Sequence, residues 1–201
     1  MRTPSRRVVR LLGLATIPVA VVGSGLLVIG SSYSVFSATT SNPSSSWSTG
    51  SLHLTDDDSN AAMFNAADLK PGSTGTKCIA VTEDGSLPST VKLFGTDYST
   101  TKELGTYIDL TITAGTGGSF SSCDGFTPLA TDSAVYSGTL ADFAASSSGY
   151  SSGVPSTGAW QPGSGTQTRV YRITYRISSG APNTSQSGNA AIGFTWEAET
   201  S

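Results

Sequence analysis

The sequence predicts an all-β protein, an antiparallel β-sandwich with long Gly/Ser-rich loops, preceded by a hydrophobic leader. The chain of 201 residues contains only 12% charged residues but 23 glycines, so strong helix formers are scarce and turn residues are frequent. Hydrophobic residues still make up 37%, which is enough to build a core. Apolar and polar side chains alternate in several short runs that are separated by turn residues, as in a sandwich.

The first 34 residues have the pattern of a signal peptide. Four arginines occur within the first ten positions, and residues 11–32 carry no charge. The small side chains of Ser32 and Ser34 predict cleavage between Ser34 and Val35, followed by secretion to the cell surface or beyond. Cleavage removes four arginines and no acidic residue, so the formal net charge changes from −3 to −7. An uncleaved leader, long enough to span a bilayer, is the alternative and would be the chain's contact with the membrane.

Residues 35–46 form a polar segment that is expected to be extended, and residues 47–201 are expected to form the sandwich domain. At the start of this domain, Leu52 and Leu54 alternate with Ser51 and His53, which predicts a half-buried strand with an exposed His53. The Lys70-Pro71-Gly72 sequence predicts a turn, because proline presets one turn position and glycine supplies the positive φ of the next.

Alternating runs predict further strands along the rest of the chain. Asp84-Gly85 predicts a hairpin between the strand at residues 77–82 and the strand containing Val91 and Leu93. Later strands are expected at residues 107–112, 134–136, 171–177 and 192–196, with a helical turn at 140–145. Residues 146–165 are rich in Ser, Gly and Pro, and a loop of this length is expected to be either functional or mobile.

Cys78 and Cys123 are the only cysteines of a chain that is expected to leave the cytoplasm. A disulfide between them is therefore the first expectation, and two buried free thiols are the alternative. Closing a loop of about 46 residues would stabilise the fold by about 4 kcal/mol.

The sequence predicts no catalytic residue and no required cofactor. Residues 149–153 match G-x-S-x-G, but no strand precedes them, no helix follows, and the single histidine, His53, lies upstream. One histidine falls short of the usual ligands of a catalytic zinc unless carboxylates supply the rest. The net charge offers no basic face for nucleic acid.

One short acidic run is a candidate calcium site. Asp56, Asp58 and Asn60 have the spacing of the first three ligands of a calcium loop. Ala61 and Ala67 replace the glycine and the bidentate acid that an EF-hand needs, so only a looser Ca²⁺ cluster remains possible. An acidic surface turn is the alternative.

Four segments, taken in order, resemble the TasA/camelysin family of secreted biofilm-matrix and bacterial surface proteins. They are residues 47–54 (WSTGSLHL), 68–72 (DLKPG), 84–87 (DGSL) and 189–198 (NAAIGFTWEA). The resemblance implies a jelly-roll sandwich, a leader cut by a dedicated signal peptidase, and assembly into extracellular fibres. In such fibres the mature N-terminal segment completes the sheet of a neighbouring subunit. Residues 99–165 and the cysteine pair are not part of the resemblance.

We therefore expect a secreted structural subunit of extracellular fibres that assembles with copies of itself by N-terminal strand donation. Residues 35–46 would be the donor strand, and Val35 and Phe36 its apolar anchors. A monomeric cell-surface adhesion or binding module, with its contacts on residues 146–165, is the alternative. A camelysin-like surface metalloprotease is a further alternative, which the residues present do not support.

Overall fold

The computed structural model describes residues 50–201. The predicted cleavage site between Ser34 and Val35 and the predicted donor segment, residues 35–46, lie outside the described residues. Within residues 50–201, no helix is long and apolar enough to cross a membrane. The elements in chain order are β1 (Leu54–Asp56), β2 (Thr74–Glu83), β3 (Ser89–Thr100), a 3-10 turn (Leu104–Tyr107), β4 (Ile108–Thr116), β5 (Thr127–Pro128), β6 (Ala134–Thr139), α1 (Leu140–Ser146), a 3-10 turn (Tyr150–Ser152), β7 (Gln167–Ile177), a 3-10 turn (Asn183–Ser185) and β8 (Ala190–Thr200).

Six strands form the larger of two antiparallel sheets. Its order is β1-β2-β7-β4, and both β5 and β6 pair with β4. The alternation in the sequence fixes which face is buried. Ile79 of β2 lies opposite Tyr171 of β7, and Ile112 of β4 lies opposite Ile173. These side chains are all buried, so the inner face of this sheet forms one half of the core.

Among the described residues, the smaller sheet contains only β3 and β8, which pair along almost their full length. Leu93 of β3 lies opposite Trp196 of β8. The two sheets face each other across the core, where the rings of Tyr171 and Trp196 are 5.4 Å apart. The predicted all-β antiparallel sandwich is confirmed, with six strands facing two.

The predicted hairpin at Asp84-Gly85 is wrong. β2 pairs with β1 and β7, whereas β3 pairs with β8, so the connection crosses from one sheet to the other. The Asp84 amide donates to the His53 carbonyl at 3.0 Å, and the Gly165 amide donates to the Gly85 carbonyl at 3.0 Å. An Asp-Gly pair favours a tight change of direction, but it does not determine which strand the next one will meet.

Residues 147–162 cover the outer edge of β3 and are not a loose loop. Leu93 and Val154 exchange both backbone hydrogen bonds, at 2.9 and 2.8 Å, and the Val91 amide donates to the Trp160 carbonyl at 2.7 Å. The Trp160 side chain is 4% exposed. The segment therefore pairs with β3 through its backbone, although its Ser-, Gly- and Pro-rich sequence lacks the alternation of a strand.

Cys78 and Cys123 form a disulfide, with their Cα atoms 5.3 Å apart, in agreement with the expected pairing. The bond joins β2 to the Gly/Ser-rich segment between β4 and β5. A second link lies close by, because the carboxylate of Asp57 accepts hydrogen bonds from the Ala80 and Phe120 amides, each at 2.8 Å. Asp57, which directly follows β1, thus holds β2 and the disulfide-linked segment together on one face.

We expect Trp160→Ala to lower the free energy of unfolding by about 3–5 kcal/mol, because it removes a large buried side chain from the cover over β3. Urea denaturation followed by circular dichroism measures this loss. Gln161→Ala, at the exposed neighbouring position, is the control and should change stability little. A loss of less than about 1 kcal/mol would be no more than a surface substitution causes, and it would contradict the role of Trp160 in the core.

Candidate functional site

An apolar groove of about 860 Å³ lies between the two sheets, beside β8. The inner face of β8 contributes Ile192, Phe194 and Trp196 to it. The larger sheet contributes Ile79, Ile108, Leu110 and Tyr175, which are residues of the core or packed against it. The groove is therefore an opening into the hydrophobic core and not a surface depression.

β8 is the edge of the smaller sheet on this side. Within residues 50–201 it pairs with β3 alone, so the backbone groups along its outer edge form no hydrogen-bonded ladder with another of the described strands. Ile192, Phe194 and Trp196 face the core but remain only half-buried. The indole Nε1 of Trp196 is buried without a hydrogen-bond partner among the described residues. The sandwich is incomplete on this side, whereas residues 147–162 complete it on the other.

Residues 57–69, which we call the strap, border the groove. The strap contains no helix or strand. Met63 is 9% exposed and belongs to the hydrophobic core, and the ring of Phe64 packs edge-on against Tyr175 with 5.1 Å between the centroids. Leu69 lies at the groove and is exposed. The strap thus places two large apolar side chains in the groove or at its wall.

The three candidate calcium ligands lie at the end of β1 and the start of the strap. The Asp58 amide donates to Asp56 Oδ1 at 3.3 Å, and the Asn60 amide donates to Asp58 Oδ1 at 2.6 Å, so they form successive turns. Partial burial of the Asp56 carboxyl raises its pKa, and the neighbouring carboxylates of Asp58 and Asp57 raise it further. No group of three or more His, Cys, Asp or Glu side chains in residues 50–201 is arranged to hold a metal ion. Calcium binding here stays a prediction.

His53 is exposed, as the sequence predicts, and contacts Asp84 at the surface. Its Nδ1 lies 2.6 Å from Asp84 Oδ1, with the two side chains 62% and 44% exposed. No third ligand joins them in the part of the chain that the structure describes. Residues 1–49 contain no His, Cys, Asp or Glu and add no such ligand. The chain's side chains therefore do not fit a catalytic zinc, which needs three protein ligands.

A smaller, polar pocket of about 380 Å³ lies near the covered edge of β3. It is lined by Asp132, Gly158, Gln161 and Arg169, among others. The Arg169 guanidinium lies over the Trp160 ring, 5.3 Å from its centroid, and its burial lowers the pKa of Arg169. Gly158 and Gln161 come from the stretch at residues 146–165 that the sequence singles out.

The sequence could identify parts of the groove but not the groove itself. The alternation of Ile192, Phe194 and Trp196 predicts β8 and its apolar face correctly. It gives no sign that β8 lacks a second neighbour, because pairing partners are distant in the sequence. The sequence patterns do not identify the strap as part of a site. The only sequence signal for it is the adjacent apolar pair Met63 and Phe64 in a segment without alternation.

The chain matches a family model described as camelysin metallo-endopeptidase over residues 8–107, about half of its length. No curated protein matches it. The matched range contains β1, the strap, β2 and β3. It ends before β4, so β8 and the covering segment at residues 147–162 lie outside it.

We expect Asp56→Asn to raise the melting temperature at neutral pH. The raised pKa means that the folded state gains stability from protonated Asp56 and loses this gain as the pH rises through the folded pKa. Asparagine resembles the protonated acid and keeps an oxygen for the Asp58 amide. The difference from the wild type should therefore vanish below the ordinary carboxyl value of 3.8, as measured by thermal melts across pH. Asp124→Asn, at an exposed loop position, is the control and should change the melting temperature little. If the melting temperature of Asp56→Asn at neutral pH is equal to or below that of the wild type, the prediction is wrong.

Proposed function

Because this chain belongs to the TasA/camelysin family of surface and secreted proteins, we propose that it is a structural subunit of extracellular fibres. The leader is removed between Ser34 and Val35 by a signal peptidase during export. The new N-terminal segment, residues 35–46, then completes the sandwich of a second copy by adding a strand. The partner is another copy of the chain, and no cofactor is needed.

The observation that carries this proposal is the unpaired edge of β8 beside the apolar groove. An exposed edge offers a row of backbone donors and acceptors to another chain, and soluble proteins usually block such edges. Exposed charges on β8 occur only at Glu197 and Glu199, towards its C-terminal end. The residues of β8 that line the groove, 190–194 and Trp196, carry none. The free stretch of β8 is therefore suited to receive a strand through backbone hydrogen bonds and alternate side-chain burial.

The donor segment matches this acceptor in length and character. Residues 35–46 have no charged side chain and include Val35 and Phe36 as their large apolar side chains. At about 3.4 Å per residue, twelve extended residues cover about 40 Å, similar to the 11 residues of β8. Burying Val35 and Phe36 contributes on the order of 3–5 kcal/mol before ordering costs. This free energy is sufficient for assembly only together with the backbone hydrogen bonds and the repeated contacts of a fibre.

We infer further that the chain is not a metallo-endopeptidase. Its single histidine pairs with Asp84 on the surface, and no other metal-binding side chains gather around it in residues 50–201. Cleavage of a protein substrate by the purified chain that a chelator abolishes would contradict this inference.

A monomeric adhesion or binding module is the second candidate. The polar pocket around Arg169 favours it, because Gly158 and Gln161 of the stretch at residues 146–165 line this pocket. A guanidinium, a carboxylate and an amide around one opening suit a polar ligand. This candidate requires that the mature chain remain monomeric.

We expect the chain that starts at Val35 to form fibres visible by electron microscopy, and the same chain without residues 35–46 to stay a folded monomer. Phe36→Ala should weaken assembly because it removes the larger anchor, whereas Ser44→Ala, in the same segment, should not. Circular dichroism and light scattering on each variant separate loss of assembly from loss of folding.

Fibres formed by the shortened chain would overturn strand donation. A mature chain that stays monomeric at every concentration and pH tried would overturn the fibre proposal and favour the binding module.

A further inference from the structure

We propose that the strap, residues 57–69, is an autoinhibitory element of the assembly site, with Met63 and Phe64 held against the groove of the isolated subunit and withdrawn from it when a donor segment enters. This inference rests on the fibre assembly proposed above and concerns its regulation.

The first argument is that the strap and a donor segment compete for the same space. Met63 and Phe64 line the groove together with Ile192, Phe194 and Trp196 of β8. Met63 is almost fully buried, and Phe64 packs against Tyr175 on the larger sheet. A donor strand on the edge of β8 would direct alternate side chains into this same volume. Met63 and Phe64 bound this volume, so close packing of the donor's side chains against β8 and the larger sheet requires the strap to shift.

The second argument is that the strap is held in place by side chains and not by its backbone. From residue 62 to residue 69, no backbone amide or carbonyl makes a hydrogen bond to another described residue. By contrast, the segment that covers the edge of β3 makes four backbone hydrogen bonds to Ser89, Val91 and Leu93. A segment with few backbone hydrogen bonds opens at a lower free energy than the sheets around it.

The third argument is that both ends of the strap are anchored. At its start, the Asp57 carboxylate accepts from the Ala80 and Phe120 amides. Just beyond its end, the Gly72 amide donates to the Ile177 carbonyl at 2.9 Å. Asn60 and Asp68 have positive φ, at 63° and 55°, and flank the two apolar side chains. The middle of the strap can therefore leave the groove while its ends stay in place.

If only subunits with an open strap bind a donor, the apparent affinity for the donor falls in proportion to the fraction of subunits that are open. It also shields an apolar groove that would otherwise be exposed on every unassembled subunit. A substitution that weakens the strap should therefore favour assembly. If the strap served only as a wall of the groove, the same substitution should weaken assembly.

Met63 reports directly on the position of the strap. The chain has two methionines, and cleavage after Ser34 removes Met1, so Met63 is the only one in the mature protein. Peroxide oxidation followed by mass spectrometry should convert Met63 to its sulfoxide severalfold faster in wild-type fibres than in wild-type monomer. Equal or slower oxidation in the fibres would overturn the strap inference and leave fibre assembly itself intact.

Phe64→Ala tests the same idea by mutation. We expect it to lower the concentration needed for fibre formation of the mature chain by about tenfold, because more subunits are open. Phe126→Ala is the matched control, since Phe126 packs against Arg172 at 4.5 Å and does not line the groove. An unchanged or higher threshold for Phe64→Ala would overturn the inference; if this variant does not fold, the Met63 measurement on the wild type decides. Failure of the wild type to form any fibre would refute the proposed function and the strap inference together.

Discussion

The pairing of β3 with β8 is the contact on which the architecture of the molecule depends. These two strands alone make up the smaller sheet, and they must cover the inner face of a six-stranded sheet. A two-stranded sheet is too narrow for this, so the core needs further cover on both sides. Residues 147–162 provide it beside β3. Beside β8 there is the strap, which contributes Met63 and Phe64 but no strand.

This constraint explains why the large side chains of β8 are only half-buried. Ile192, Phe194 and Trp196 alternate correctly for a core-facing strand, and each packs against the core. In a complete sandwich a further strand would flank them and bury them fully. Their partial exposure and the unpartnered indole nitrogen of Trp196 lie where no strand of residues 50–201 adds to the cover that the strap provides. The same exposure would be a hazard for a permanently soluble monomer and an advantage for a subunit that binds a second copy.

The sequence predicted local structure well and pairing partners poorly. The alternation in residues 171–177 and 192–196 identified β7 and β8 and their buried faces, because a strand's faces depend on neighbouring residues only. The Asp84-Gly85 hairpin failed because turn chemistry does not choose between a hairpin and a crossover. The cover at residues 147–162 was missed because backbone pairing needs no apolar alternation. The groove could not be predicted from local patterns either, since it lies where β8 has no second neighbouring strand within residues 50–201.

The two covers of the smaller sheet differ in the kind of interaction that holds them, and this difference decides which one can open. The cover beside β3 combines backbone hydrogen bonds with the buried Trp160, so releasing it would break several polar contacts and uncover a large ring at once. The strap beside β8 relies on the burial of two side chains between anchored ends. Apolar burial has no directional requirement, so the side chains of an incoming segment can replace Met63 and Phe64 at the loss of one specific contact, the edge-on packing of Phe64 on Tyr175. Backbone hydrogen bonds, in contrast, must be replaced group for group. An exchange of one apolar filling for another, with new backbone hydrogen bonds gained along β8, therefore favours the β8 side as the place where a second chain enters the sandwich.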